Sequence, residues 1–280
     1  MRKCLLLCAA LLLATAPRMW AASTSFVLGD QGGVVVAVTL DGEGPFKMLL
    51  DTGATHSVLT ADIVGQIGAK AVAQASVFSP AGSMERPIVE VDTLSIGPIT
   101  VDMIFPSVAA AGAYGAKGEI KGLIGQDVLA GLRYTLDFRR RQIEWHDATP
   151  PYDGIWLPLS FEHGRFLVAF PQAVGTLRLV PDSGSGGLVL FEAHCRETVQ
   201  TVETGETVEL ATAAGRRLAR SVLLPVLRIG DRTLRDVPAV SISGHDMAHP
   251  GAGDGLLPLH IFDRVTFDGP ARLLLLDGKG

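Results

Sequence analysis

The chain has 280 residues, 48% of them hydrophobic, with a formal net charge of −5 and three cysteines. That size and apolar content suffice for the cores of two ordinary domains, and the acidic balance argues against nucleic acid or an anionic membrane surface as a partner. Beyond the first 22 residues only Cys195 remains, so no intramolecular disulfide is expected and the fold must stand on its core.

Residues 1–22 read as a signal peptide: Arg2 and Lys3, an apolar run from Leu5 to Ala16, then small residues at Ala21-Ala22. The run of 12 residues is too short to span a bilayer. The expectation is an exported protein, periplasmic or extracellular, with no integral membrane span. Without Arg2, Lys3 and Arg18 the mature chain has 21 basic against 29 acidic residues, a net charge of −8.

Residues 23–146 read as a first lobe. Val34 to Val38 is β-branched and strand-like, and the turn residues Asp41 to Pro45 lead it back into a second apolar run, Phe46 to Leu50. That run ends in Asp51-Thr52-Gly53-Ala54. A carboxylate at the tip of a buried strand is costly without a partner, and Gly53 is expected to permit a tight turn. One such stretch alone also fits a strand ending in a capped turn. Ala61 to Ile67 can form one or two helical turns, Ser79 to Ser83 reads as a hairpin tip, and Val101 to Phe105 alternates like a strand. Ala109 to Gly118 reads as a mobile surface loop. Thr135 to Phe138 and Gln142 to Trp145 alternate around three arginines, 139–141, which read as a solvated hairpin tip. A linker follows at 147–154, with Pro150-Pro151, and residues 155–280 read as a second lobe with a hairpin tip near Thr212 to Arg216.

The two lobes repeat one another. Leu177 to Ser185 has the form of the Asp51 stretch, with Asp182-Ser183-Gly184-Ser185 lying 131 residues after Asp51-Thr52-Gly53-Ala54. Val36-Ala37-Val38 answers to Val168-Ala169-Phe170 at 132, and Ala81-Gly82 to Ala214-Gly215 at 133. Leu94 to Gly97 answers to Leu227 to Gly230, and Gly122 to Gly125 to Gly255 to Pro258, both at 133. Tyr134 to Asp137 answers to Val265 to Asp268 at 131. Matches in order at nearly constant spacing mean a duplication, with a unit far longer than a solenoid repeat. Short strands, frequent turns and no long helical period make the fold mostly β.

On these motifs the chain resembles the aspartic proteases of the pepsin and retroviral-protease (retropepsin-like) type. The family pattern is Asp-Thr/Ser-Gly followed some way on by two apolar residues and Gly; Leu123-Ile124-Gly125 completes it in the first copy and Leu256-Leu257-Pro258 in the second. The resemblance implies a two-lobed, pepsin-like acid protease fold with internal pseudo-twofold symmetry. It further implies an aspartic endopeptidase in which Asp51 and Asp182, one per lobe, share a proton and activate water. Thr52 and Ser183 would brace the two loops, with Gly53, Ala54, Gly184 and Ser185 completing them, and the hairpins at Gly82 and Gly215 would act as flaps over an extended polypeptide substrate. No metal or cofactor is implied, and one chain carrying both loops implies a monomer. Pro258, in place of Gly, and Pro181 before the second Asp depart from the pattern. Each removes a backbone donor, which leaves open a catalytically silent, duplicated peptide-binding module, or a dimer that pairs first lobes.

Ser185 marks an asymmetry, since Ala54 holds its place in the first copy. A hydroxyl there is expected to donate to the Asp182 carboxylate, making Asp182 the more readily ionised member and leaving the shared proton on Asp51. Other candidates are weaker. His245 and His249 are four apart, but Gly244, Pro250 and Gly251 disfavour a zinc-binding helix. Gly184 to Gly187 lacks the Lys of a phosphate loop. Ser57 and Ser183 lack a partnered His, and His56 reads as a surface residue near the cleft.

Overall fold

The computed structural model describes residues 22–29, 31–79, 82–212, 215–243 and 253–278. The protein is mostly β, and α-helix among the described residues is confined to Ala61–Ile67, Gln126–Leu129 and Glu192–Cys195. No helix among them is long and apolar enough to cross a membrane. The strands form two sheets, one of ten strands drawn from residues 27–124 and one of thirteen.

In the first sheet the strands Val34–Leu40 and Glu43–Leu50 pair antiparallel, with Val34 opposite Leu50. Their turn is shorter than the sequence reading of 41–45. Asp41 and Gly42, at φ 49° and 80°, supply the two left-handed residues that a two-residue hairpin requires, so the second strand begins at Glu43. Gly122–Ile124 then lies parallel to the Asp51 strand, with Ile124 beside Leu50, and Val58–Thr60 runs antiparallel on its other side. These two short strands are buried throughout, as the interior of a two-sided sheet demands. Helix Ala61–Ile67 forms where expected and stops at Gly68, which is left-handed at φ 69°.

The second sheet repeats the arrangement. Arg165–Pro171 pairs antiparallel with Thr176–Asp182, and Gly255–Pro258 lies parallel to it, with Asp182 beside Pro258. Leu188–Phe191 runs antiparallel to Gly255–Pro258, as Val58–Thr60 does to Gly122–Ile124. Both expected hairpins are present: Ala71–Ser79 pairs with Gly82–Val89 up to Ser79 opposite Gly82, and Val202–Thr212 with Gly215–Ile229 up to Thr212 opposite Gly215. The tip residues 80–81 and 213–214 lie outside the described residues.

The copies meet in the larger sheet. Arg133–Asp137 pairs antiparallel with Arg264–Asp268 about Thr135 opposite Thr266, whose hydroxyls are 2.9 Å apart. Beside them Tyr134 stacks on Phe267 at 5.1 Å. Residues separated by the repeat distance thus face each other, which places a pseudo-twofold axis between Thr135 and Thr266. Gln142–Trp145 and Leu273–Asp277 extend this shared sheet on either side, and residues 147–155 cross between the halves without regular structure. The segment from Ala109 to Gly118 has a buried end at Ala109, closing a short strand, and its turns are tied by a bridge from Tyr114 to Ile120.

Candidate active site

Each repeat delivers one carboxyl group to the axis. Asp51 follows its strand directly and its N–H donates to the Ile124 carbonyl at 2.9 Å; Asp182 ends the equivalent strand. Within each loop the chain folds back on its own carboxylate. Gly53 and Ala54 both donate backbone N–H to Asp51 Oδ1 at 3.0 Å, and Gly184 and Ser185 to Asp182 Oδ1 at 2.7 and 3.1 Å.

The hydroxyl residues next in sequence then tie the loops across the axis. Thr52 N–H donates to Ser183 Oγ at 3.1 Å, and Ser183 N–H to Thr52 Oγ1 at 3.0 Å. Each hydroxyl also donates onward into the opposite strand, Thr52 Oγ1 to the Pro181 carbonyl at 2.7 Å and Ser183 Oγ to the Leu50 carbonyl at 2.5 Å. Four hydrogen bonds therefore cross between the copies through two buried side chains. Pro181 costs this arrangement nothing, because only its carbonyl takes part.

Gly53 and Gly184 are required for space rather than for the turn. Neither has positive φ. A Cβ on Gly53 would lie 2.7 Å from Asp182 Cγ, and one on Gly184 3.0 Å from Asp51 Cγ. Each glycine gives room to the carboxyl group of the other copy, so the two carboxyls come close enough for the charge of one to act on the other.

Burial pushes both carboxyls above the ordinary carboxylate range. Asp182 goes further, with the neighbouring Asp51 charge adding to its burial. At Asp51 burial also dominates, opposed by the Gly53 and Ala54 N–H groups, by a hydrogen bond from Asp182 and by the charge of Arg165. The two carboxyls therefore hold a proton as a pair, the shift being stronger at Asp182, which is 7% exposed. The hydrogen bond expected from the Ser185 hydroxyl to Asp182 is not formed. That hydroxyl donates to the Gly187 carbonyl at 2.7 Å, and only the Ser185 backbone N–H reaches Asp182. A carbonyl two residues on in a Gly-rich turn captures a short hydroxyl side chain before a carboxylate can.

The surroundings of the two loops differ. In the first copy Gly125 N–H donates to Ser57 Oγ at 3.1 Å, and Ser57 donates its N–H and hydroxyl to Asp127 at 3.0 and 2.9 Å. Gly125 is also obligatory for space, since a Cβ there would lie 2.5 Å from the His56 backbone. In the second copy the corresponding positions are Pro258, Leu188 and His260, and the helix Gln126–Leu129 is replaced by a 3-10 turn, Leu259–Ile261. Gln126 Nε2 donates to the Thr52 carbonyl at 2.7 Å, while the Ser183 carbonyl accepts from Val34 N–H at 3.0 Å. His56 is half-buried rather than on the surface and its Nδ1 meets Thr55 Oγ1 at 2.9 Å; burial lowers its pKa, against the pull of Asp127. Tyr114 and Arg86 lie on the Asp51 side, where burial raises the tyrosine's pKa and the guanidinium offsets part of the rise. Sequence reading missed Gln126, Asp127, Tyr114, Arg86 and Arg165. Residues 245–250, with both histidines of the weak metal reading, lie outside the described residues.

Two opposed Asp-Thr/Ser-Gly loops, tied through their hydroxyls on a duplicated β scaffold, define the aspartic-protease class of site. Comparison with known proteins bears on the family of the first copy and on the fold. Residues 36–128 match the family model described as aspartyl protease. The crystal structure of basic 7S globulin from soybean superposes with a TM-score of 0.52 at 13% identity, covering 91% of this chain and 95% of that one, a likeness of fold alone. No curated protein matches the chain. The first copy thus resembles aspartyl proteases by sequence, and the whole chain has a two-lobed, mostly β, pepsin-like fold.

Proposed function

We propose that the chain is an exported aspartic endopeptidase, acting as a monomer, with the lobes 23–146 and 155–280 each contributing one aspartate. The observation that carries this reading is the pair of facing carboxyls, each held by two backbone N–H groups of its own loop, on loops tied across the axis. Ionised Asp51 takes a proton from a bound water as the water oxygen attacks the peptide carbonyl, and protonated Asp182 gives its proton to the carbonyl oxygen as it gains charge. The resulting diol collapses when Asp51 passes its proton to the amide nitrogen. The C–N bond then breaks and a diol hydroxyl returns its proton to the dyad. The reaction so written uses only the two carboxyls and water. The hairpins ending near Gly82 and Gly215 would close over an extended polypeptide held by backbone pairing.

The test is incubation of the mature chain with a mixed peptide library across the acid-to-neutral range, with and without pepstatin. Pepstatin-sensitive cleavage is expected. Asp51→Asn and Asp182→Asn should each remove nearly all of it, and the double variant should lose no more than either single one. An Asp182→Asn protein that keeps most of its activity would refute the shared dyad.

A further inference from the structure

The pseudo-twofold symmetry fails at one position beside the carboxyls. In the first sheet Val34 lies opposite Leu50, a register that carried one residue further sets Gly33 across from Asp51. In the second sheet Val168 lies opposite Leu179, and carrying that register three residues further sets Arg165 across from Asp182. Gly33 and Arg165 are therefore equivalent, 132 residues apart. Gly33 carries no side chain, and a Cβ there would lie 2.7 Å from Leu49 Cδ1, so that leucine would have to shift to admit one. Arg165 places a guanidinium at the matching point, and its charge acts on both Asp182 and Asp51. The turn before it, at Gly164, packs against Thr55 of the first copy, with a Gly164 Cβ falling 3.4 Å from Thr55 Cβ. Arg165 thus stands where the two copies meet, next to the dyad.

Its hydrogen-bonding capacity is unused. The Nε is buried without a hydrogen-bond partner, and no ion pair or hydrogen bond holds the side chain among the described residues. The dyad with its shared proton carries one negative charge, which Arg165 balances at a distance, and that balance satisfies none of the five N–H donors. Arg86 and Asp127, of opposite sign, both flank His56 further along the Asp51 side. A half-buried guanidinium with a free planar fork matches a carboxylate, which accepts two parallel hydrogen bonds from it. A neutral amide offers the same fork a single oxygen and no charge to pair with it.

We infer that Arg165 is a specificity-determining residue that binds a carboxylate of the peptide substrate close to the scissile bond. The inference rests on the peptide-binding cleft of the proposed endopeptidase, although binding alone suffices to test it. The carboxylate has two sources, an acidic side chain or the free C-terminus of the peptide.

Matched peptides carrying Glu or Gln at successive positions, each made with an amidated and with a free C-terminus, separate these sources. Cleavage by the parent chain is compared with Arg165→Met and Arg165→Lys, and uncleaved binding is measured on Asp51→Asn with and without Arg165→Met. A Glu-over-Gln, or acid-over-amide, ratio on the order of tenfold is expected at one position, as charge-assisted hydrogen bonds allow. The ratio should fall to near one in Arg165→Met and only partly in Arg165→Lys; because it is internal to each variant, a general loss of folded protein leaves it readable. Cleavage with no such ratio, or a ratio unchanged in Arg165→Met, overturns the inference and leaves the endopeptidase standing. Selective binding without cleavage by the parent supports the inference and removes the endopeptidase. A pH profile that moves equally for Glu and Gln peptides in Arg165→Met makes the arginine a counter-charge only, and also overturns it.

Discussion

Thr52→Val tests the tie between the copies with little change of shape. Thr52 is fully buried, and its hydroxyl both donates to the Pro181 carbonyl and accepts from Ser183 N–H. Valine keeps the branched outline and leaves two buried backbone groups without partners. Each such group costs about 1–3 kcal/mol, so the variant should be destabilised by roughly 2–6 kcal/mol. Near the melting point that corresponds to about 2–4 °C for each kcal/mol in a chain of this size. Thr52→Ser keeps the hydroxyl, loses one methyl, and should cost only about 1 kcal/mol. The assay is chemical denaturation of parent, Thr52→Ser and Thr52→Val under one buffer, read as midpoint and slope, with peptide cleavage followed in parallel. A Thr52→Val midpoint within about 0.5 kcal/mol of the parent would show that neither hydrogen bond carries weight, and the argument for a rigid dyad would fall with it.

Asp182 is protonated in the folded chain at pH values where the unfolded chain ionises it, because burial raises its pKa. The sign follows: its contribution is complete below the ordinary carboxylate pKa and is lost as the pH rises to the raised native value. Asp182→Asn should therefore flatten the fall in stability between acid and neutral pH and gain on the parent at the neutral end; parallel stability–pH curves would contradict the shift. Ser185→Ala should leave the pH–activity profile in place, since the hydroxyl serves Gly187 and not the carboxylate, and a displaced acidic limb would restore the hydroxyl to the dyad. Gly53→Ala should be destabilised by about 1–3 kcal/mol by overpacking and lose activity, more severely than Gly184→Ala, in the order of their 2.7 and 3.0 Å approaches to the opposing carboxyl. Equal activity of Gly53→Ala and parent would mean that the loops give way.

The duplication made the fold legible before any coordinates. Repetition places the apolar run, the Asp and the two apolar residues before Gly125 or Pro258 at fixed distances, and buried strands need little more than that pattern to be recognised. Function-bearing detail was less legible where a side chain has a choice of partners. Ser185 could meet a carboxylate or a nearby carbonyl, and sequence carries no measure of which is closer. Gly53 looked like a turn residue because a turn is the commonest reason for a glycine after Asp-Thr, whereas its space belongs to Asp182, 129 residues away. Arg165 reads as an ordinary charged strand end. Only its alignment with Gly33 marks it as a bulky cation where the other copy has a glycine, and that alignment was available in the repeat.

The two copies have kept their polar partners on the axis and exchanged them elsewhere. At Thr52 with Ser183, and at Thr135 with Thr266, a residue of one copy bonds its counterpart in the other, so a change in one is felt at once by both. Away from the axis a copy bonds within itself and can change if its partners change together. The Gly125 N–H needs the Ser57 hydroxyl, and Ser57 satisfies Asp127. In the second copy Pro258 has no N–H, and Leu188 at the Ser57 position is buried without any hydroxyl to satisfy. Removing donor and acceptor as a pair is close to neutral, whereas removing either alone leaves a buried group unpaired. Pro258, which by sequence looked like damage to the second loop, is half of such a paired exchange. The loop it supports still delivers Asp182 to the axis, with Gly184 and Ser185 bonded to its carboxylate as Gly53 and Ala54 are to that of Asp51.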